Sequence, residues 1–130
     1  MRFKYKGFTL VEIMIVVAII AMLTAIAVPS YLRSRMRTQA AQIKKECSLL
    51  DAAKDEYAIE NNKTSDATPV FADLTPYLKA STTLINNNGN DILGNPFTIG
   101  DVSTEVRVNT ATKDLLSETI GGDTFWGPYS

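Results

Sequence analysis

The feature that most constrains this chain is an apolar run from Phe8 to Val28, 21 residues with a single charge, Glu12. As a helix rising about 1.5 Å per residue it is roughly 31 Å long, the thickness of a bilayer core. Arg2, Lys4 and Lys6 precede the run, and Arg33, Arg35 and Arg37 follow it. Three basic residues on each side nearly balance the orientation signal, and the very short N-terminal tail favours keeping that tail in the cytoplasm. Two simple readings fit these residues: a secretory signal peptide, cut after Ala27 in Ala25-Ile26-Ala27, and a plain signal anchor.

Glu12 argues against both. A charge deep in a membrane helix costs roughly 2.5–3.5 kcal/mol, less near an end, and such residues usually have a partner. The run contains no Lys or Arg. The expectation is therefore a partner outside the run or on another molecule.

From Thr38 onward there are 7 basic and 13 acidic residues, a net of 7 − 13 = −6. An acidic distal part does not suit nucleic acid, whose phosphates need a basic face. There is no His, hence no imidazole base or His metal ligand. With one cysteine, Cys47, an internal disulfide and a Cys-rich zinc site are both excluded. Without a convergent nucleophile and base, the sequence argues against an enzyme.

Beyond the run, Pro29 removes a backbone donor and is expected to bend or break the helix. Met36, Ala40, Ile43, Cys47, Leu50 and Tyr57 then recur at helical spacing, one stripe of an amphipathic continuation over 29–62. Lys54 falls within that stripe and is expected to reach outward past its neighbours. Ala41, Leu49, Ala52 and Ile59 lie on the opposite side. Leu49 and Ile59 should therefore be more exposed than Ile43 and Leu50. The helix should fade at Asn61-Asn62-Lys63, giving about 80 Å of helix from Phe8.

Residues 63–130 read as a small head. Phe71 to Leu78 suggests a short helix or turn with four apolar anchors, and Asn86 to Asp91 a loop. Strands are expected near Phe97–Ile99, over Thr104–Asn109, where Val106 and Val108 alternate with Glu105 and Arg107, and near Leu115–Ile120. The expected class is α+β: a long N-terminal helix, membrane-spanning then amphipathic, packed against a small antiparallel sheet.

Gly7-Phe8-Thr9-Leu10-Val11-Glu12, after a short basic leader and before a long apolar helix, resembles the N-terminus of type IV pilins and pseudopilins. The resemblance runs from Lys6 to about Tyr31. It implies a leader over 1–7, a transmembrane and assembly helix over 8–28, and a pilin-like fold. It also implies a prepilin peptidase that cuts between Gly7 and Phe8 and methylates Phe8. If subunits stack as staggered helices, the new amine of one meets Glu12 of its neighbour. The implied partners are homologous subunits, an inner-membrane assembly platform and membrane lipid. The implied place is the bacterial inner membrane with the head outside the cytoplasm, and then a periplasmic pseudopilus or a surface pilus.

Asp73–Leu78 and Asp91–Phe97 further resemble segments of the small major pseudopilin of type II secretion. That protein's calcium loop is not matched: Glu118 and Asp123, the only carboxylates between Ser117 and Asp123, are the candidate calcium ligands there, and a calcium site usually needs more oxygen ligands. No cofactor is expected. Cys47 is read as a buried hydrophobe, and the aromatic tail Phe125–Tyr129 as closing the core in place of a disulfide. The chain thus reads as a structural subunit of a pilus or secretion pseudopilus; the alternative is a soluble binding domain released after Ala27. Because a peptidase gripping extended backbone leaves little room beside the cut, Gly7→Val should leave the full-length precursor in the membrane, as seen by immunoblot. Normal maturation would refute the cleavage assignment.

Overall fold

The computed structural model describes residues 1–79 and 83–130. They fall into two compact units, Met1–Arg35 and Met36–Ser130. One helix, α1 (Leu10–Glu60, 51 residues), contributes to both.

In the first unit every residue is exposed, including Ile13, Val17, Ile20 and Leu23 of the apolar run. By length and composition α1 is able to cross a membrane, and none of its apolar window is buried by the rest of the chain. Pro29 lies inside α1 without ending it. The expected break is therefore corrected to a missing N–H donor within a continuous helix. The far end of α1 stops as the Asn pair suggested. Asn62 takes a left-handed φ of 49°, and the Lys63 N–H donates back to the Ala58 carbonyl at 2.9 Å.

The second unit holds the core. Ala40, Ile43, Cys47, Leu50 and Ala53 of α1 face Leu74, Leu84, Val106, Leu116 and Trp126, all essentially inaccessible to solvent. The stripe read from the sequence is thus the packed face. Ile59 is 78% exposed, as expected, whereas Leu49 is half-buried against the edge of the core. The connecting pieces are short: α2 (Phe71–Leu74), a 3-10 turn (Thr75–Tyr77), α3 (Thr83–Asn86), α4 (Thr110–Ile120), α5 (Asp123–Trp126) and a final 3-10 turn (Gly127–Tyr129).

The expected antiparallel sheet is not formed among the described residues, which hold only two isolated antiparallel bridges, Asn90 with Pro96 and Thr98 with Arg107. Thr98 and Arg107 exchange both backbone bonds, at 3.0 and 2.9 Å. The ladder goes no further because neighbouring donors are used elsewhere. The Val106 N–H donates to Asp51 Oδ1 on α1 at 2.9 Å, and the Val108 N–H to the Tyr129 carbonyl at 3.0 Å. Val106 and Val108 still point inward while Glu105 and Arg107 point out, so the alternation is real without a sheet.

The strand expected near Leu115–Ile120 is corrected to the end of helix α4. Asn109 caps that helix, its side chain accepting from the Ala111 N–H at 2.9 Å, and Gly121 closes it at φ 88°. Thr112 and Leu116 are buried four residues apart while Leu115 is exposed, which is helical period.

Gly89 has a φ of +82°, and a Cβ built there would meet the Phe71 ring at 2.7 Å. Both backbone and space demand glycine. Gly89→Ala should destabilise the full chain by about 1–3 kcal/mol, read as a lowered thermal midpoint in detergent. An unchanged midpoint would mean that Phe71 yields freely.

Candidate assembly site

Residues 1–9 precede α1 without helical structure and are fully exposed. A Cβ added at Gly7 would meet nothing within 4 Å. The fold itself therefore asks nothing of this glycine. Phe8 is exposed at the start of a shallow apolar recess that it lines with Glu12, Ile13, Ile15 and Val16.

Glu12 does have a partner within the run, which corrects the expectation of an outside partner only. The Thr9 N–H donates to Glu12 Oε2 at 2.8 Å, and the Glu12 N–H donates to Thr9 Oγ1 at 3.2 Å. This reciprocal pair is a capping box, and it was legible as Thr-x-x-Glu before an apolar run. The carboxylate also sits in the first turn, where the helix dipole favours negative charge. Capping is worth typically about 1 kcal/mol, less than the roughly 2.5–3.5 kcal/mol cost of a charge at depth. The cap offsets part of that cost and leaves a favourable role for a cation.

In the second unit, sequence reasoning missed three buried polar groups. Lys54 does not reach outward; it is 1% exposed. Its Nζ donates to the carbonyls of Ile99 and Asp101, each at 3.0 Å, and to that of Thr104, and pairs with Asp51 Oδ1 at 3.3 Å. Three carbonyls match the three donors of an ammonium. Asp91 is 1% exposed. It accepts from the Leu93 and Asn95 N–H groups, both at 2.9 Å, and from Thr112 Oγ1, which ties its loop to α4. Glu46, 3% exposed, accepts from Thr83 Oγ1 and from Gln42 Nε2 at 3.2 Å.

The carboxylates considered for calcium are not gathered. Asp123 stands opposite Lys113 Nζ at 4.0 Å with its side chain 80% exposed. Among the described residues no group of three His, Cys, Asp or Glu is placed to hold a metal. The aromatic tail does close the core. Trp126 is fully buried with Phe125 edge-on to it at 5.3 Å, and Lys44 Nζ donates to the Phe125 carbonyl at 2.8 Å.

Cys47 is fully buried. Burial first, then the charges of Asp51, Glu46 and Asp91, push its thiol up to about 12. The folded chain therefore holds this proton more tightly than the unfolded one. The resulting stability is complete below the ordinary thiol pKa and is lost as pH climbs towards about 12. Cys47 should resist alkylation at about pH 8 until the chain is denatured; rapid labelling of the native protein would show that the packed face opens.

Residues 2–28 match the family described as the prokaryotic N-terminal methylation motif. A fimbrial protein of Pseudomonas aeruginosa is 48% identical over 65 residues, which are 49% of this chain and 42% of that protein. The type IV major fimbrial protein FimA of Dichelobacter nodosus is 30% identical over 111 residues, 85% of this chain and 61% of that protein. The type IV wide pilus major component PilA4 of Thermus thermophilus is 44% identical over 59 residues, 44% of each chain. The matched stretches thus span from under half to about three fifths of these relatives' length. No solved structure matches the chain.

Proposed function

We propose that this chain is a member of the type IV pilin family with an N-terminal methylation motif, a structural subunit of a type IV pilus with no catalytic role. The observation that carries the reading is the methylation motif over residues 2–28 leading directly into a fully exposed apolar helix with Glu12 in its first turn. A prepilin peptidase would cut between Gly7 and Phe8 and methylate the new Phe8 amine. The subunit would wait in the inner membrane with residues 63–130 outside the cytoplasm, and an assembly platform would pass it into a surface filament of like subunits. That the relatives named above are fimbrial and pilus proteins favours a pilus over a secretion pseudopilus.

In this reading Glu12 has two tasks. Its bond with Thr9 starts the helix, and the pair survives cleavage because both residues lie beyond the cut. Its charge then favours a position beside the amine of a neighbouring Phe8. At about 4 Å and an effective dielectric near 20, that attraction is about 4 kcal/mol before desolvation. Pro29, which lacks a hydrogen-bond donor within α1, is where the helix would give when subunits pack. Ile59 and the flank of Leu49, on the side of α1 away from the core, would meet adjacent helices.

Mass spectrometry of the mature N-terminus tests the processing. Methylated Phe8 is expected, whereas a chain beginning at Val28 would establish the signal-peptidase alternative. Glu12→Val should still insert and be cut, yet filament yield should fall about ten-fold or more. Wild-type yield from that variant would remove the docking role.

A further inference from the structure

We propose that the carbonyls of Ile99, Asp101 and Thr104, with the Asp51 carboxylate, form a structural cation site filled by the chain's own Lys54 ammonium. Emptied of that side chain, the site takes a free primary ammonium ion. The inference concerns the distal unit alone and holds whether or not the chain builds a filament.

The cage is built by bonds that do not use Lys54. The Val102 N–H donates to the Ala67 carbonyl at 3.0 Å, and the Ser103 N–H to the Ser65 carbonyl at 3.1 Å. The Thr104 N–H donates to Asp101 Oδ1, and the Val106 N–H to Asp51 Oδ1, both at 2.9 Å. Gly100 turns the chain at φ +67°, and a Cβ there would meet Thr104 Oγ1 at 2.7 Å, so the turn is closed by a residue without a side chain. With these donors tied elsewhere, the three carbonyls converge on one point. Lys54 Nζ lies there, 3.0 Å from the Ile99 and Asp101 oxygens and bonded to that of Thr104. Main-chain oxygens fixed in this way replace the hydration shell of a cation.

Charge and access favour the same occupant. Beside the cage lies a recess of about 170 Å3 lined by Asp51, Lys54, Asp55, Ser103, Thr104 and Glu105. Asp55, Ser103 and Glu105 are exposed, so the recess opens to solvent. One ammonium against three carboxylates leaves 1 − 3 = −2 around it, a field that concentrates small cations. Without Lys54 the three carbonyls and Asp51 would all be acceptors lacking their donor, which is costly. A water molecule brings two donors and no charge. A primary ammonium brings three donors and the charge that Asp51 faces.

The test is chemical rescue of Lys54→Ala, made in the full chain in detergent and read by amide hydrogen exchange at Val102 and Val106. The probe is n-propylammonium chloride, which carries the ammonium and the carbons that the substitution removes. Exchange at both amides should rise about a hundred-fold in Lys54→Ala. It should fall back about ten-fold with the probe at about ten times its Kd. Wild-type exchange should not respond, because its site is filled. Lys54→Met keeps most of the stem and drops the charge; it should exchange fast and ignore the probe. Wild-type exchange in Lys54→Met would mean that packing, not a cation, orders the segment, and overturns the site. Equal rescue by n-propanol, which has no charge, or by tetramethylammonium chloride, which has no N–H, overturns it too. So does a Lys54→Ala chain, folded or not, that n-propylammonium leaves unchanged.

Discussion

The distal unit is organised by a buried ammonium and its neighbouring carboxylate. Lys54 and Asp51 lie one helical turn apart on α1, and together they bind the chain from Ile99 to Val106: three carbonyls on Lys54, one N–H on Asp51. These are backbone groups that a sheet would ordinarily pair with another strand. The helix supplies the pairing instead, through two side chains. That arrangement explains why Val106 and Val108 are packed inward like strand residues although no strand is present among the described residues. It also makes the segment depend on α1 more than on any other part of the chain. Removing one member of a buried ion pair typically costs about 3–5 kcal/mol, because the other is left uncompensated.

A helix used this way has no spare face. In the distal unit one side carries the core stripe, the adjoining turn carries Lys54 and Asp51, and the remaining side carries Leu49, Ile59 and the groove beside Glu46. In the proximal unit the stretch Phe8–Val28 is exposed throughout and apolar on nearly every side, Glu12 being its one charge. Charge is rationed along α1. Lys54 is buried with a full set of partners, Glu46 is buried with one oxygen engaged, and Glu12 is exposed and held by Thr9 at the first turn.

The parts of this architecture that were legible in the sequence are those encoded by neighbouring residues. The apolar run, the end of α1 at the Asn pair and the core stripe from Ala40 to Leu50 each follow from short-range periodicity or turn chemistry. The capping box at Thr9 and Glu12 and the limits of α4 at Asn109 and Gly121 were equally local. They were overshadowed, the first by the question of lipid and the second by a β-branched and apolar run that suited a strand. Lys54, Asp91 and Glu46 were not legible. Each has local partners two to four residues away, but the bonds that bury them reach 21 to 50 residues along the chain to carbonyls and hydroxyls, which leave no pattern in composition or spacing. The Leu49 flank was only half read, because its partial cover comes from an edge of the core that periodicity along one helix does not describe.

The C-terminus is fastened by Trp126 in the core and by the Tyr129 carbonyl taking the Val108 N–H. The sole sulfhydryl is sealed beneath the packed face of α1 with its proton firmly held. Nothing in the closure of this fold thus passes through an oxidation step. These residues hold their fold without a disulfide to form and without one for a reductant to open.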